Sequence, residues 1–379
     1  MESQTENTQK HILLVLLIIL FIVILFLTNL MRETLVPIFF AFFTAMFLHP
    51  FIHKLHETRI PNWLSTLIVY LLFILLVGII LTIIGFSFGS FLADLPKMTK
   101  QFRTRIVELI EKFSNLEIVQ YYLQDQKETV TKMLLDLTSQ VLSIENFRTY
   151  VIGPVSVTLN ILKGFGFYAL ALIFIIPGMD RISERIIKAF PDDRGPRINK
   201  MITNIKESIQ SYMVAKSIIS LCVGLLSFII CLFFGIKYAL LWGVVIFLLN
   251  YIPYIGSIIA VMFPLFMCLV QYQSFARFSF LTISLTSVQV LMGNIIEPKF
   301  MSRGVNLSPL IIFTSLLVWS YVWGVAGVIL SVPIMSAINL ICGNIKSLRP
   351  ISFLISAKSK KNKPQKNNKN NNDASVAQG

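Results

Sequence analysis

The chain is 379 residues long, 55% hydrophobic and only 14% charged, with a mean hydropathy of +0.74. These values exclude a soluble domain of this size and describe a polytopic membrane protein. The formal net charge of +14 does not point to nucleic acid, because much of it crowds into Lys346, Arg349, Lys358, Lys360, Lys361, Lys363, Lys366 and Lys369 near the C-terminal end.

Eight apolar runs follow one another: residues 12–30, 35–48, 64–92, 151–176, 212–236, 238–270, 275–296 and 307–341. Most reach the roughly 20 residues that carry a helix across a ~30 Å hydrocarbon core. None alternates as a membrane barrel strand does, so the expected fold is all-α, a bundle of about eight transmembrane helices.

The first run is longer than a signal-peptide core, and its exit at Thr28, Asn29 and Leu30 lacks small-x-small spacing. It is read as a retained first helix. At the end of the second run, His49, His53 and His56 fall at i, i+4 and i+7, a spacing that can hold a metal. Pro50 interrupts that turn and Glu57 is the only acid close by, so no metal is expected.

Residues 94–150 are hydrophilic with balanced charge. Leu95, Met98, Phe102, Ile106, Leu109, Phe113 and Leu116 recur at three- and four-residue steps, and Val130, Leu134, Leu137, Val141 and Ile144 do the same. Two amphipathic helices outside the membrane are expected, packed on the protein's own membrane domain or between subunits.

Basic residues set the orientation. Lys54 and Arg59 follow the second run, and Arg181, Arg185, Lys188, Arg194, Arg197, Lys200 and Lys206 follow the fourth. Both loops are predicted cytoplasmic, with both termini on the same side. The expected plan is residues 1–93 as the N-terminal tail and helices 1–3, then 94–150 as the amphipathic region. Residues 151–345 form helices 4–8, and 346–379 a disordered basic tail that touches anionic lipid.

Two runs are too long. Residues 238–270 and 307–341 would each extend about 50 Å as one helix, against a core of ~30 Å. Pro253, Gly256 and Pro264 interrupt the first, and Gly324, Gly327 and Pro333 the second, so each is kinked or folded into a re-entrant hairpin. The break at NYIPYIG frees backbone groups that Asn250, Tyr251 and Tyr254 can meet, or leave to line a cavity. With Pro253 and Gly256, these are candidate pathway residues.

The seventh run carries a polar or small stripe. Thr282, Thr286, Gln289, Gly293 and Glu297 fall within an arc of about 80° on a helix. The stripe is either glue between helices or the lining of a solute path. It runs into GNIIEPKFMSRGVNLSPL, where Glu297 precedes Pro298, and the helix is expected to end at that glutamate. Asn294, Glu297, Pro298 and Arg303 join the candidates. The carboxylate is read as a gate, cation ligand or proton carrier, or else as an interfacial ion pair with Lys299 and Arg303 nearby.

In the eighth run, Ser320, Gly324, Gly327 and Ser331 share one face at steps of 4, 3 and 4, a spacing for close helix packing, with Trp319 and Trp323 as anchors or gate bulk. The four cysteines all lie in apolar runs without paired spacing and are read as packing residues. No phosphate-cradling loop, nucleophile elbow or zinc-protease pair is present, so neither catalysis nor a cofactor is expected.

Several segments in order carry a family likeness: LVPIFFAFFTAMFLHPFIHKL from Leu35, AFPDDRGPR from Ala189, NYIPYIGSIIAVMFP from Asn250, GNIIEPKFMSRGVNLSPL from Gly293 and WGVAGVILSVPI from Trp323. Together they resemble the autoinducer-2 exporter family of bacterial membrane proteins, over most of the chain outside its two tails. The resemblance implies an eight-helix inner-membrane protein with a hydrophilic segment between helices 3 and 4. It also implies a homo-oligomer, with a pentamer among the options.

The resemblance implies export of a small polar solute such as an autoinducer-2-like molecule, while other members are described as sodium or lithium/proton antiporters. The expected function is therefore a secondary transporter. The alternatives are a monovalent cation/proton antiporter acting through Glu297, and a non-transporting membrane scaffold recruiting partners through its outer helices or basic tail.

Overall fold

The computed structural model of the protein describes residues 22–114, 158–192, 194–272, 274–301 and 307–357, with scattered residues between 12 and 20. Among the described residues the regular structure is helical throughout. The helices are α1 (Arg32–His56), α2 (Asn62–Ser114), α3 (Thr158–Ala189), α4 (Arg194–Phe233), α5 (Ala239–Leu249), α6 (Ile255–Gln271), α7 (Phe275–Val290), α8 (Glu297–Met301), α9 (Pro309–Trp323), α10 (Val325–Asn344) and α11 (Arg349–Ile355). A π-helical segment, Leu291–Ile296, joins α7 to α8.

Five stretches are long and apolar enough to cross a membrane: Arg32–His56, Asn62–Met98, Arg194–Phe233, Phe275–Phe300 and Val325–Asn344. α3 adds a sixth if its arms, Gly164–Met179 and Arg181–Ala189, are taken together across a 59° bend. The bend follows Pro177, which removes a backbone donor from the helix ladder. The all-α membrane fold holds, but the two over-long runs are not single crossings.

The run at 238–270 folds as a first hairpin, α5 and α6. With 11 residues, α5 extends about 16 Å and cannot span the hydrocarbon core. Trp242 on α5 stacks on Phe263 of α6 at 5.7 Å between centroids, which sets the two arms side by side. Between them Tyr254 takes a left-handed φ of 62°. A Cβ on Gly256 would run into the carbonyl of Leu249, so this turn admits no side chain there.

The run at 307–341 folds as a second hairpin, α9 and α10, around Gly324 at φ 62° and ψ −140°, a conformation open to glycine. Ser315 Oγ donates to the Ser331 carbonyl across the pair at 3.3 Å. A Cβ on Gly327 would strike the Trp319 carbonyl, so the small face of α10 packs against its own hairpin partner. At the tip, Asn29 Nδ2 donates to the carbonyls of Tyr321 and Val322, and Trp323 Nε1 donates to the Thr28 carbonyl. Those bonds meet carbonyls that a helix end leaves unpaired.

α4 and α5 approach until their backbones nearly touch. A Cβ on Gly224 would lie 2.8 Å from the Gly243 oxygen, and one on Gly243 2.6 Å from Phe228 Cβ. This contact fixes the first hairpin against α4. At its base, Tyr238 donates from its hydroxyl to Asp94 Oδ2 at 2.7 Å, and Tyr272 donates to the Gly235 carbonyl at 2.8 Å.

Two helices run across the expected boundaries. α2 is one 53-residue helix, so the membrane segment runs into the amphipathic stretch without a break at residue 93. Residues after Met98 are mostly good helix formers, which explains the continuation. Leu95 and Met98 are buried against Cys231, Ile236, Ala239 and Trp242, on the protein's own membrane domain. The side chains of Phe102, Ile106, Leu109 and Phe113, and the second amphipathic stretch at 130–144, lie outside the described residues.

At the other end, a short helix lies within the residues read as the tail. α11 folds back on α10, where Ser352 Oγ donates to Asn339 Oδ1 at 2.7 Å, Ile355 is buried, and its carbonyl accepts from Ser308 N. An apolar Ile-Ser-Phe-Leu-Ile stretch on a short helix gains more by packing than by solvation. The four cysteines carry free thiols, three of them buried.

Candidate functional site

α4 carries a buried stripe through the membrane domain: Tyr212, Lys216, Ser220, Val223 and Ser227. Lys216 is a full charge inside this stripe, with its side chain 3% exposed. An ammonium group buried that deeply requires a partner. Its Nζ lies 2.7 Å from Oε1 of Glu297, whose side chain is 20% exposed. The pair joins α4 to the start of α8 across 81 positions of sequence.

Glu297 reaches that position through the backbone. Contrary to the expected helix end at the glutamate, the chain stays helical through Met301. Pro298 lacks an N–H, and its ring would crowd the carbonyl four residues earlier. The helix answers by widening over Leu291–Ile296, where Glu297 N–H donates to the Met292 carbonyl five residues back. One inserted residue in a helix turns every later side chain by about 100°. The widening therefore re-aims Glu297 relative to the stripe on α7.

Between α4, α7 and the tip of the first hairpin lies a cavity of about 670 Å³, within the range that holds small molecules. Lys216 and Glu297 are the only charged groups among its described lining residues. Asn250, Pro253 and Tyr254 come from the hairpin tip, and Thr286, Gln289 and Asn294 from α7 and its π segment. The Gln289 amide nitrogen is buried without a hydrogen-bond partner. A Cβ added to Gly293 would meet nothing within 4 Å, so this position opens into space.

The hairpin tip is held by side chains. Asn250 Nδ2 donates to Ser220 Oγ at 2.9 Å, and the Tyr251 hydroxyl donates to Ser217 Oγ at 2.8 Å, both on α4, one a turn from Lys216 and the other next to it. The cavity thus gathers Asn250, Pro253, Tyr254, Thr286, Gln289, Asn294, Glu297 and Pro298 of the sequence-based set.

It does not gather the rest. Tyr251 faces Ser217, Gly256 serves the turn, and Thr282 donates back to the Phe278 carbonyl at 2.8 Å. Arg303 lies outside the described residues. Gly324 forms the second hairpin's tip, while Gly327 and Ser331 lie where α9 and α10 meet.

Sequence reasoning missed Lys216 and the paired serines of α4. The signal was available as one lysine in the apolar run 212–236, four residues after a tyrosine and four before a serine. The three histidines have separate uses: His49 Nε2 meets Lys206 Nζ at 2.9 Å, His53 lies 3.3 Å from Glu57, and His56 Nδ1 lies 2.8 Å from the Ile60 carbonyl. Among the described residues no cluster of three metal-binding side chains occurs.

Comparison with known proteins gives a consistent result. The sequence profile described as AI-2E family transporter matches residues 13–347. The chain is 29% identical over 318 residues to a presumed transport protein of Haemophilus influenzae, covering 82% of this chain and 87% of the relative. It is 30% identical over 242 residues to one of Borreliella burgdorferi, covering 62% and 67%. It is also 25% identical over 331 residues to the AI-2 transport protein TqsA of Escherichia coli, covering 87% and 91%.

Proposed function

The chain belongs to the AI-2E family of transporters, and from that premise we propose that it moves a small polar solute across the bacterial inner membrane through the cavity between α4, α7 and the first hairpin. The observation that carries this reading is the cavity's position at the tip of a hairpin too short to cross the membrane, with polar side chains converging there. Broken helices whose ends meet a polar cavity are how many secondary transporters build a solute site. An autoinducer-2-like molecule is one candidate solute, since a relative carries that activity in its name. The basic loops around Lys54 and from Arg181 to Lys206 favour cytoplasmic termini. The family resemblance favours a homo-oligomer.

The test is solute flux in reconstituted vesicles with Gly293 replaced. Gly293→Trp fills open space in the cavity and is expected to lower flux by about tenfold or more, while Gly293→Ala, which fits without contact, retains it. Unchanged flux through the Gly293→Trp protein places the path elsewhere.

The Glu297 carboxylate in the cavity favours a second reading, Na⁺ or Li⁺/proton antiport. Lys216 already holds that carboxylate, so a cation has to displace an ammonium group. The same vesicles, given a Na⁺ or Li⁺ gradient and a pH dye, decide the matter: no cation-driven proton flux removes antiport.

A further inference from the structure

We infer that Lys216 is the anchor for an anionic group on the solute, and that Glu297 is a resident competitor for it. The inference rests on the transport reading only in taking the cavity as open to solutes. Three observations lead to it.

The pair is asymmetric. Lys216 is 3% exposed and Glu297 20%. When they separate, the carboxylate turns toward solvent in the cavity, but the ammonium group stays enclosed by α4 and its neighbours. Burial penalises an unpaired charge, so opening the pair requires a new anion at Lys216 and no new cation at Glu297.

Lys216 also has unused donors. An ammonium group offers three N–H bonds, and among the described residues Lys216 makes one, to Glu297. The remaining donors belong to a side chain that lines the cavity. The third observation is Gln289, whose amide nitrogen is buried, unpartnered and on the same cavity wall system. A donor left unmet in a buried place is costly unless something arrives to accept from it. Lys216 and Gln289 both line the cavity and both carry N–H donors, the complement of a carboxylate or phosphate group.

Pairing with Lys216 also explains the π segment. It turns Glu297 toward α4, at the cost of regular hydrogen bonding over Leu291–Ile296. A carboxylate on an adaptable backbone can leave Lys216 without moving α4, whose Gly224 contact with α5 allows little shift.

The two halves of one ion pair then have opposite effects on ligand binding. A purely structural pair predicts losses on both sides. The measurement is the ligand-induced rise in thermal unfolding midpoint of the full chain in detergent, at matched ionic strength. The probes are L-lactate, succinate and inorganic phosphate, with glycerol as an uncharged counterpart. Lactate or succinate responding alone identifies a carboxylate, and inorganic phosphate responding alone identifies a phosphate.

Glu297→Gln is expected to tighten binding of at least one anion by about tenfold, and Lys216→Met to weaken it by about tenfold or more. Lys216→Arg keeps the charge and is expected to retain binding, so the test stands even if Lys216→Met fails to fold. Glycerol is expected to shift neither. The inference is overturned if no anion shifts the Glu297→Gln midpoint, if glycerol acts like the anions, or if both halves of the pair lose binding alike. Anion binding with this sign pattern but no flux in vesicles would sink the transport reading and leave the anchor standing. Flux blocked by Gly293→Trp without the sign pattern would do the reverse.

Discussion

The turn between α5 and α6 takes residues 250–254, whereas α9 and α10 meet at Gly324 alone. At the first tip, Asn250 and Tyr251 spend their side chains on Ser220 and Ser217 of α4, and the tip faces a cavity. At the second, Asn29 and Trp323 tie the tip to the residues just before α1, and Trp323 packs on Phe39 at 4.9 Å and Trp319 at 4.9 Å. Both hairpins break an over-long apolar run, yet one leaves space with polar edges and the other fills its space with aromatic and small residues. The second hairpin is thus a packed element, and the open space at the first is where the proposed solute path runs.

That contrast can be broken from the second hairpin. Gly327→Val forces a branched side chain into the Trp319 carbonyl, and overpacking of this kind costs about 3 kcal/mol. Thermal unfolding in detergent is expected to show the loss, with flux falling only in proportion to folded protein. Full stability in this variant would mean that α9 and α10 are not packed as described.

The contrast is sharpened from the first hairpin by a smaller change. Asn250→Ala removes one bond to the buried Ser220 hydroxyl, worth about 1 kcal/mol of stability. Flux per folded molecule is expected to fall far more than that figure implies, because the tip loses its register on α4. A loss of flux no larger than the loss of folded protein would make the tip merely structural.

Much of this division was legible in the residues. Run length against bilayer thickness demanded a break in both segments, and Pro253, Gly256 and Gly324 marked where. The face of Thr286 and Gln289 followed from 3.6-residue periodicity, whereas Glu297 takes its place through the π segment. The choice between kink and hairpin was not legible, because it depends on Trp242 meeting Phe263 and Ser315 meeting Ser331 across the fold.

The partner of Glu297 was hidden for a different reason. Lys299 and Arg303 lie close in sequence, whereas Lys216 comes from a helix 81 positions earlier. The π segment was also invisible, since Pro298 after Glu297 reads equally well as a helix end. Local propensity registers the proline, and only the ion pair across to α4 shows which answer the chain adopts.

The central claim is that the solute path runs beside the first hairpin and not through the second. In a chain with its four cysteines replaced by alanine, single cysteines at Gly293 and Ser331 can be challenged with a charged, membrane-impermeant thiol reagent during transport. The account predicts that Gly293→Cys reacts and that flux stops, while Ser331→Cys, fully buried between α9 and α10, stays unlabelled and active. Labelling at Ser331→Cys with Gly293→Cys inert would contradict it.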